Sequence, residues 1–456
     1  MRNRKKILLS MVFSAGLCLP AFAQTYTKAD LGHSLTDFGA IQAGSSDGLI
    51  PAYTGGINKI PNLPDGNPST SWPNPFANEQ PIFVVTKENM SKYASMLTPG
   101  VQAMLERYGD KGFVLDVYPS HRTMVYPDWV LKNTLQNTQT AQLIPDDEGV
   151  TGAYGGIPFP VPTNGYEAMW DYYLSYTPAF CTYTQQGYVV YPNGSTTFLG
   201  TNPDKWATPY YDPTKTSMPG NIYRYFVATF DAPASEAGVA YLFEYPINFD
   251  KTGDVTYFYS PGTRRTRLAP DFSYDTPIAS YGGALNYDEI YFFKGEMNKF
   301  DFKLIGRKEM IVPYNDYDLD KNTESQVDNP YFVNPKLMRW EVHRVWVVEA
   351  TLKPGERHIY KKWDFYIDED SWKILLSEAY DHSGNIYKVA VGIPWMTYGD
   401  GDATAVSPGW ANYDLSKDDY SINIVFTQGF GYFHCNTQLP NMLDYTPQSL
   451  SRQAVQ

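Results

Sequence analysis

Glu341 and His343 stand two positions apart in a stretch that alternates like a strand, so their side chains share one face with Glu349. A carboxylate and an imidazole at that spacing suit acid–base chemistry or half of a metal site. A zinc centre needs three or four ligands, and His358 on the returning strand is a further imidazole within reach. Lys and Arg residues surround the set, which favours a polar network over either chemistry. Arg344 and Trp346 take the opposite face.

Arg264, Arg265 and Arg267 follow a Pro–Gly turn, and alternation puts Arg265 and Arg267 together. Paired guanidinia suit a carboxylate or phosphate head group. Asp271, Asp275, Asp288 and Glu289 lie near enough to pair with them instead. Asp316, Asp318, Asp320, Asn322 and Glu324 are spaced as in a calcium loop. Lys321 stands where the EF-hand needs Gly and Val327 where it needs Glu, which leaves a solvated acidic loop, with a non-EF cation site as the alternative. Asp368, Glu369 and Asp370 read as turn residues at a hairpin tip. Gly-rich phosphate loops and the G-x-S-x-G elbow are absent, and no carboxylate pair stands out for glycoside cleavage. The sequence implies no metal and no cofactor.

The chain opens with Arg2, Arg4, Lys5 and Lys6, then an apolar run at 7–19 too short to span a bilayer. Pro20 and Ala21-Phe22-Ala23 complete a secretory signal cleaved near Ala23. Leu17 before Cys18 is too large for a lipobox. The leader carries four positive charges and no acid, so the net charge of −13 becomes −17 for the remainder. Such a protein, expected in a periplasm, is a poor partner for nucleic acid or anionic membrane surfaces. Cys181 and Cys435 remain, as a disulfide or as two buried thiols.

These residues must be positioned by strands. Aromatics make up 16% of the chain, with 38 Tyr, a composition of half-buried sheets and of apolar cleft walls. Residues 339–352, 357–367, 372–380 and 385–393 read as a four-strand meander with tight turns between. Residues 221–230, 239–249, 254–259 and 264–268 continue the pattern. Helices are expected at 28–38, over 86–108 as one or two helices with Thr86 as an N-cap and Thr98-Pro99 as a second start, and from Asn164 to before Pro178. Residues 112–118 and 122–126 alternate like a hairpin. Pro and Gly dominate 44–81, an irregular arm that Trp72 and Phe76 would dock. The division is a leader at 1–23, an arm with helices at 24–110, and a sheet domain at 111–456.

Residues 154–170 (YGGIPFPVPTNGYEAMW), 260–270 (SPGTRRTRLAP), 303–315 (KLIGRKEMIVPYN) and 339–381 resemble a proteobacterial family of unknown function described as outer-membrane lipoprotein-sorting-like. The resemblance implies the fold of the LolA/LolB carriers: a mainly β protein, a large curved antiparallel sheet or incomplete barrel with a few helices on its concave side. It implies a periplasmic carrier of a lipid or other apolar small molecule, not an enzyme. It also implies work beside a resistance-nodulation-division exporter and an outer-membrane protein. The alternatives are an export-complex adaptor that holds no ligand, or a secreted glycan or ester hydrolase. The candidate ligand wall is Trp340, Trp346, Trp363, Phe365 and Tyr366, with Arg265 and Arg267 for a head group. The candidate lid is 154–170, with Tyr154, Ile157, Phe159, Tyr166 and Trp170.

Overall fold

A computed structural model describes residues 26–57, 72–269, 274–319, 322–398, 406–425 and 433–454. The leader, part of the Pro/Gly-rich arm, Asp271 and Asp320 lie outside the described residues.

Among the described residues, sixteen strands form one sheet. In chain order they are β1 (Phe83–Val85), β2 (Leu115–Val117), β3 (Phe180–Val190), β4 (Thr196–Ala207), β5 (Ile222–Thr229), β6 (Ala240–Pro246), β7 (Val255–Ser260) and β8 (Arg265–Leu268). There follow β9 (Phe300–Pro313), β10 (Trp340–Leu352), β11 (Lys362–Asp368), β12 (Ile374–Tyr380), β13 (Ile386–Ile393), β14 (Gly409–Asp414), β15 (Asp419–Val425) and β16 (His434–Asn436). The spatial order runs β10-β11-β12-β13-β14-β15-β3-β4-β5-β6-β7-β8. β9 flanks β10, β16 flanks β3, and the β1–β2 ladder meets β10 through one parallel bridge, Val117 to Trp340. The rest is antiparallel. The outer strands β8 and β9 are not paired to each other, so the sheet is not closed.

The sheet nevertheless curls. Trp410 on β14 and Phe226 on β5 are four strands apart, about 19 Å in a flat sheet at ~4.8 Å per strand. Both touch the ring of Tyr291, at centroid distances of 4.8 and 6.1 Å. A single side chain reaches both only if the sheet wraps around it.

Alternation gives the sheet two apolar faces. On the outer face Tyr366, Val389, Val391, Ile422 and Ile424 pack with α1 (Pro99–Tyr108) through Val101, Met104 and Leu105. Thr98 caps α1 by accepting from Val101 N, with Pro99 in the first turn. On the inner face Trp363, Phe365, Ile367, Ala390 and Trp410 pack with Val130 of α2 (Asp128–Thr140) and with α3 (Gly165–Tyr173). Asn164 caps α3 by accepting from Glu167 N. Gly165 brings α3 against β9, where a Cβ would meet the Phe302 carbonyl carbon at 2.5 Å.

Several expectations need correction. Only Lys28–Asp30 of the predicted first helix forms, as one 3₁₀ turn, and the stretch behind Thr86 forms two 3₁₀ turns, Met90–Lys92 and Ala94–Met96, with the α-helix beginning only at Pro99. No hairpin joins 112–118 to 122–126: β2 pairs with β1, and Thr123, Met124 and Tyr126 are buried as extended chain. α2 went unpredicted because its exposed face is amide- and hydroxyl-rich and its apolar stripe narrow. The arm does dock, with Phe76 stacked on His121 at 4.0 Å and the Trp72 indole N–H donating to Phe433 O. β1 and α1, assigned above to the N-terminal region, pack into the same sheet and core as the later strands. Cys181 and Cys435 face each other on β3 and β16 and are joined in a disulfide.

Candidate functional site

The chain between β8 and β9 connects the two open edges of the sheet, and its residues 284–297 pack into the inner core. Phe293 meets Trp363 and Phe365, while Tyr291 meets Trp206, Phe226 and Trp410. Two cavities flank this crossover, of about 80 and 100 Å³, and Ile290 and Tyr291 line both. The crossover is therefore the partition between them. Tyr291 (φ 52°) and Phe292 (φ 76°) are successive bulky residues in the left-handed region, a conformation the surrounding contacts must enforce. The Tyr291 hydroxyl lies 2.9 Å from that of Tyr183, and its carbonyl accepts from the Tyr172 hydroxyl.

The larger cavity is walled by Phe226, Phe230, Tyr241, Phe243, Leu285 and Trp410, with Asp204 at its margin. Burial raises the Asp204 carboxyl well above the ordinary carboxylate range. The smaller cavity is walled by Tyr172, Tyr173, Trp206, Tyr223, Tyr245 and Phe293. Into this aromatic box come three cations, Arg224, Lys294 and Lys373. Lys294 is ion-paired with Asp254. Arg224 and Lys373 have no carboxylate partner among the described residues; both instead donate to Thr177 Oγ1, at 3.1 and 3.3 Å, and Lys373 also to Ser175 Oγ at 2.7 Å. Burial, reinforced by Arg224, lowers the Lys373 ammonium well below the ordinary lysine range.

Comparison with known proteins follows the same lines as the architecture. The family model for a protein of unknown function, DUF1329, matches residues 84–451. The chain belongs to the DUF1329 family. The uncharacterized protein PA3922 of Pseudomonas aeruginosa is 37% identical over 373 residues, covering 79% of each chain. Among solved structures, a Vibrio parahaemolyticus domain described as outer-membrane lipoprotein-sorting aligns at 13% identity and a TM-score of 0.43, over 63% of this chain and 98% of its own. A LolA superfamily protein from Nitrosomonas europaea aligns at 12% identity and a TM-score of 0.32, over 59% of this chain and 90% of its own.

The DUF1329 chain does not assemble the predicted wall as one surface. Trp363 and Phe365 lie together on the inner face, packed by Phe293. Trp346 is also in the inner core, under Arg307 at 4.2 Å and beside Trp372. Tyr366 belongs to the outer core, opposite Phe365, since adjacent residues of a strand point to opposite faces, and Trp340, at the start of β10, is also in the outer core. None of the five lines either cavity at the crossover. Arg265 and Arg267 sit exposed on the edge strand β8 and have no ion pair among the described residues. The acids expected beside them are engaged elsewhere: Asp288 with His358 and Glu289 with Lys388, while Asp275 accepts from Ile359 N.

The predicted lid is held at many points. Tyr154 Oη donates to Asp212 O, Tyr166 Oη to Phe300 O and Trp170 Nε1 to Asp147 O; Ile157 N donates to Thr134 Oγ1 and Phe159 N to Asp171 Oδ1. Tyr154, Ile157, Phe159 and Trp170 are buried. Tyr154 also borders a wider cleft of about 720 Å³ between α2 and residues 216–221. That cleft is lined by amides, hydroxyls, short apolar groups and Lys251, with no carboxylate, imidazole or thiol among its described walls.

Glu341 and His343 do meet, at 2.9 Å, but inside a sealed network. Glu341 also pairs with Arg339 and accepts from Asn315 Nδ2 and His121 N. Burial raises its carboxyl, yet the bonds and charges of His343 and Arg339 outweigh burial and hold it below the ordinary range. His358 bonds Asp288 rather than approaching His343, and Glu349 faces Lys362. Asp368, Glu369 and Asp370 are not a solvated turn: all are buried, with Asp370 taken by the Arg122 fork at 2.6 and 2.9 Å. His343, Asp368 and Asp370 present ligand atoms within 4.8 Å of one another, but Glu341 and Arg122 already engage two of the three. Asp316, read as loop, is also buried and accepts from Arg339 N.

Arg224, Lys373 and Tyr291 are the residues that sequence reasoning missed. A faint signal existed in single cations set among apolar residues, IYRYFV and SWKIL. The decisive feature, a bulge between Ile222 and Arg224, lets Tyr223 and Arg224 line the same cavity despite being adjacent.

Proposed function

We propose that this DUF1329 protein binds and carries a lipid or other hydrophobic compound outside the cytoplasm, in concert with a resistance-nodulation-division exporter and an outer-membrane partner. The observation that carries the reading is the divided aromatic interior, in which one strained side chain, Tyr291, parts two cavities. Closed, each is smaller than the several hundred Å³ usual for a ligand site. Withdrawal of the crossover joins them, and each CH₂ buried there gains about 0.8 kcal/mol. The secretory leader and the Cys181–Cys435 bridge support an oxidising compartment. The hydrolase alternative finds little support, because Glu341 is fully buried and bonded on all sides.

Native mass spectrometry of the gently purified full chain tests the reading. A co-purifying hydrophobic compound, released when Ala228→Trp fills the larger cavity, is the expected result. A protein that never retains or takes up any apolar compound overturns it.

A further inference from the structure

Resting on the carrier reading, we propose that Arg224 and Lys373 are the seat of an anionic head group, so that the ligand is an amphiphile with a carboxylate or phosphate rather than a neutral hydrocarbon. Four observations converge. First, the two cations share Thr177 Oγ1 as acceptor, which holds like charges one oxygen apart. Second, neither has an acid partner among the described residues, whereas Lys294 at the same cavity has Asp254. Third, Arg224, Ser407 and Trp206 line this cavity, and their Nε, Oγ and Nε1 atoms are buried with no hydrogen-bond partner among the described residues. Fourth, the surrounding walls are aromatic, so a charge bound there is shielded from water.

Paired cations and unspent donors in an apolar box match a carboxylate or phosphate, which accepts several hydrogen bonds at once. An anion beside Lys373 would also oppose the lowering that burial imposes on its ammonium. The tail then passes Ile290 and Tyr291, which line both cavities, into the second cavity, where burial disfavours a charged Asp204.

The test is calorimetric titration of the full chain with decanoate, decyl phosphate, decanol and inorganic phosphate. Decanoate or decyl phosphate is expected to bind at least about tenfold more tightly than decanol, because charge-assisted bonds are made only with the anions. In Arg224→Met/Lys373→Met the anions should fall to the affinity of decanol, and decanol should be unaffected. Equal binding of decanoate and decanol by the unaltered protein overturns the head-group seat and leaves the carrier reading standing. Inorganic phosphate binding as tightly as decyl phosphate overturns it in favour of a free-anion site. Binding of none of the four overturns the carrier reading itself. The comparison among ligands on the unaltered protein decides the matter even where the double variant fails to fold.

Discussion

The hydroxyl of Tyr291 lies 2.9 Å from that of Tyr183, bolting the crossover to strand β3 across the interior. That bond helps hold a left-handed tyrosine in place and keeps two cavities apart. Tyr291→Phe removes it while keeping the ring contacts with Trp206, Phe226 and Trp410. A hydrogen bond is worth about 0.5–1.5 kcal/mol, so a fluorescent fatty-acid probe should associate several-fold faster with the variant in stopped flow. An unchanged association rate would mean that Tyr291 is not the gate.

Lys373→Met should stabilise the ligand-free protein. The substitution removes one of two neighbouring cations and keeps the apolar stem, while the Ser175 and Thr177 hydroxyls lose only a donor. The gain should be about 1 kcal/mol in urea unfolding at neutral pH, on the ground that unpaired buried charge is costly. Destabilisation would show that an acid supports Lys373 after all.

Glu378 gives a pH dependence of known sign. Its Oε1 accepts from Gly100 N at the start of α1, and burial raises its carboxyl to about 7 from the usual 4.5. A raised folded-state pKa means that the fold holds a proton which the unfolded chain releases. The associated stability is full below pH 4.5 and is lost as pH rises through about 7. Each tenfold difference in proton affinity between the folded and unfolded chain is worth about 1.4 kcal/mol. Glu378→Gln keeps an acceptor for Gly100 N and has no proton to lose. Its urea midpoint should therefore fall less than that of the parent between pH 5 and pH 8; parallel profiles would refute the assignment.

Arg122 is the cation whose loss should hurt most. It forks onto Asp370, approaches Glu369 at 3.4 Å and donates to Ile41 O, tying the arm to the β11–β12 turn. Arg122→Met strands the buried Asp370 carboxylate, while Glu369 keeps Arg307 and Arg344, and breaking such a buried pair costs about 3–5 kcal/mol. Chemical denaturation should show that loss, with protease cleavage of residues 26–57 before the rest. A change under about 1 kcal/mol would contradict the geometry.

The fold was legible where local chemistry repeats. Alternation from residue 339 to 393 marked four strands that pair as read, and Thr98-Pro99 and Asn164 marked two helix starts that the caps bear out. The β-rich architecture and the disulfide as one of two options also followed from composition and cysteine count. The polar clusters were misread because charge looks solvated in a sequence. Asp316, Glu369 and Asp370 are buried where Arg339 and Arg122, distant along the chain, arrive to bond or pair with them, and Asp368 where Tyr314 does.

The sequence by itself determined the four strands between residues 339 and 393, because side chains in a strand alternate between faces with period two whatever surrounds them. It determined the net charge and the aromatic supply. Only the tertiary structure decided which aromatics meet, and it separated Phe365 from Tyr366 while gathering Tyr291, Trp206, Phe226 and Trp410. It also decided that Arg224 and Lys373 share one threonine, through a bulge and a crossover. Those contacts join residues 149 positions apart, and no local pattern encodes how far a sheet curls before it closes on its own crossing chain.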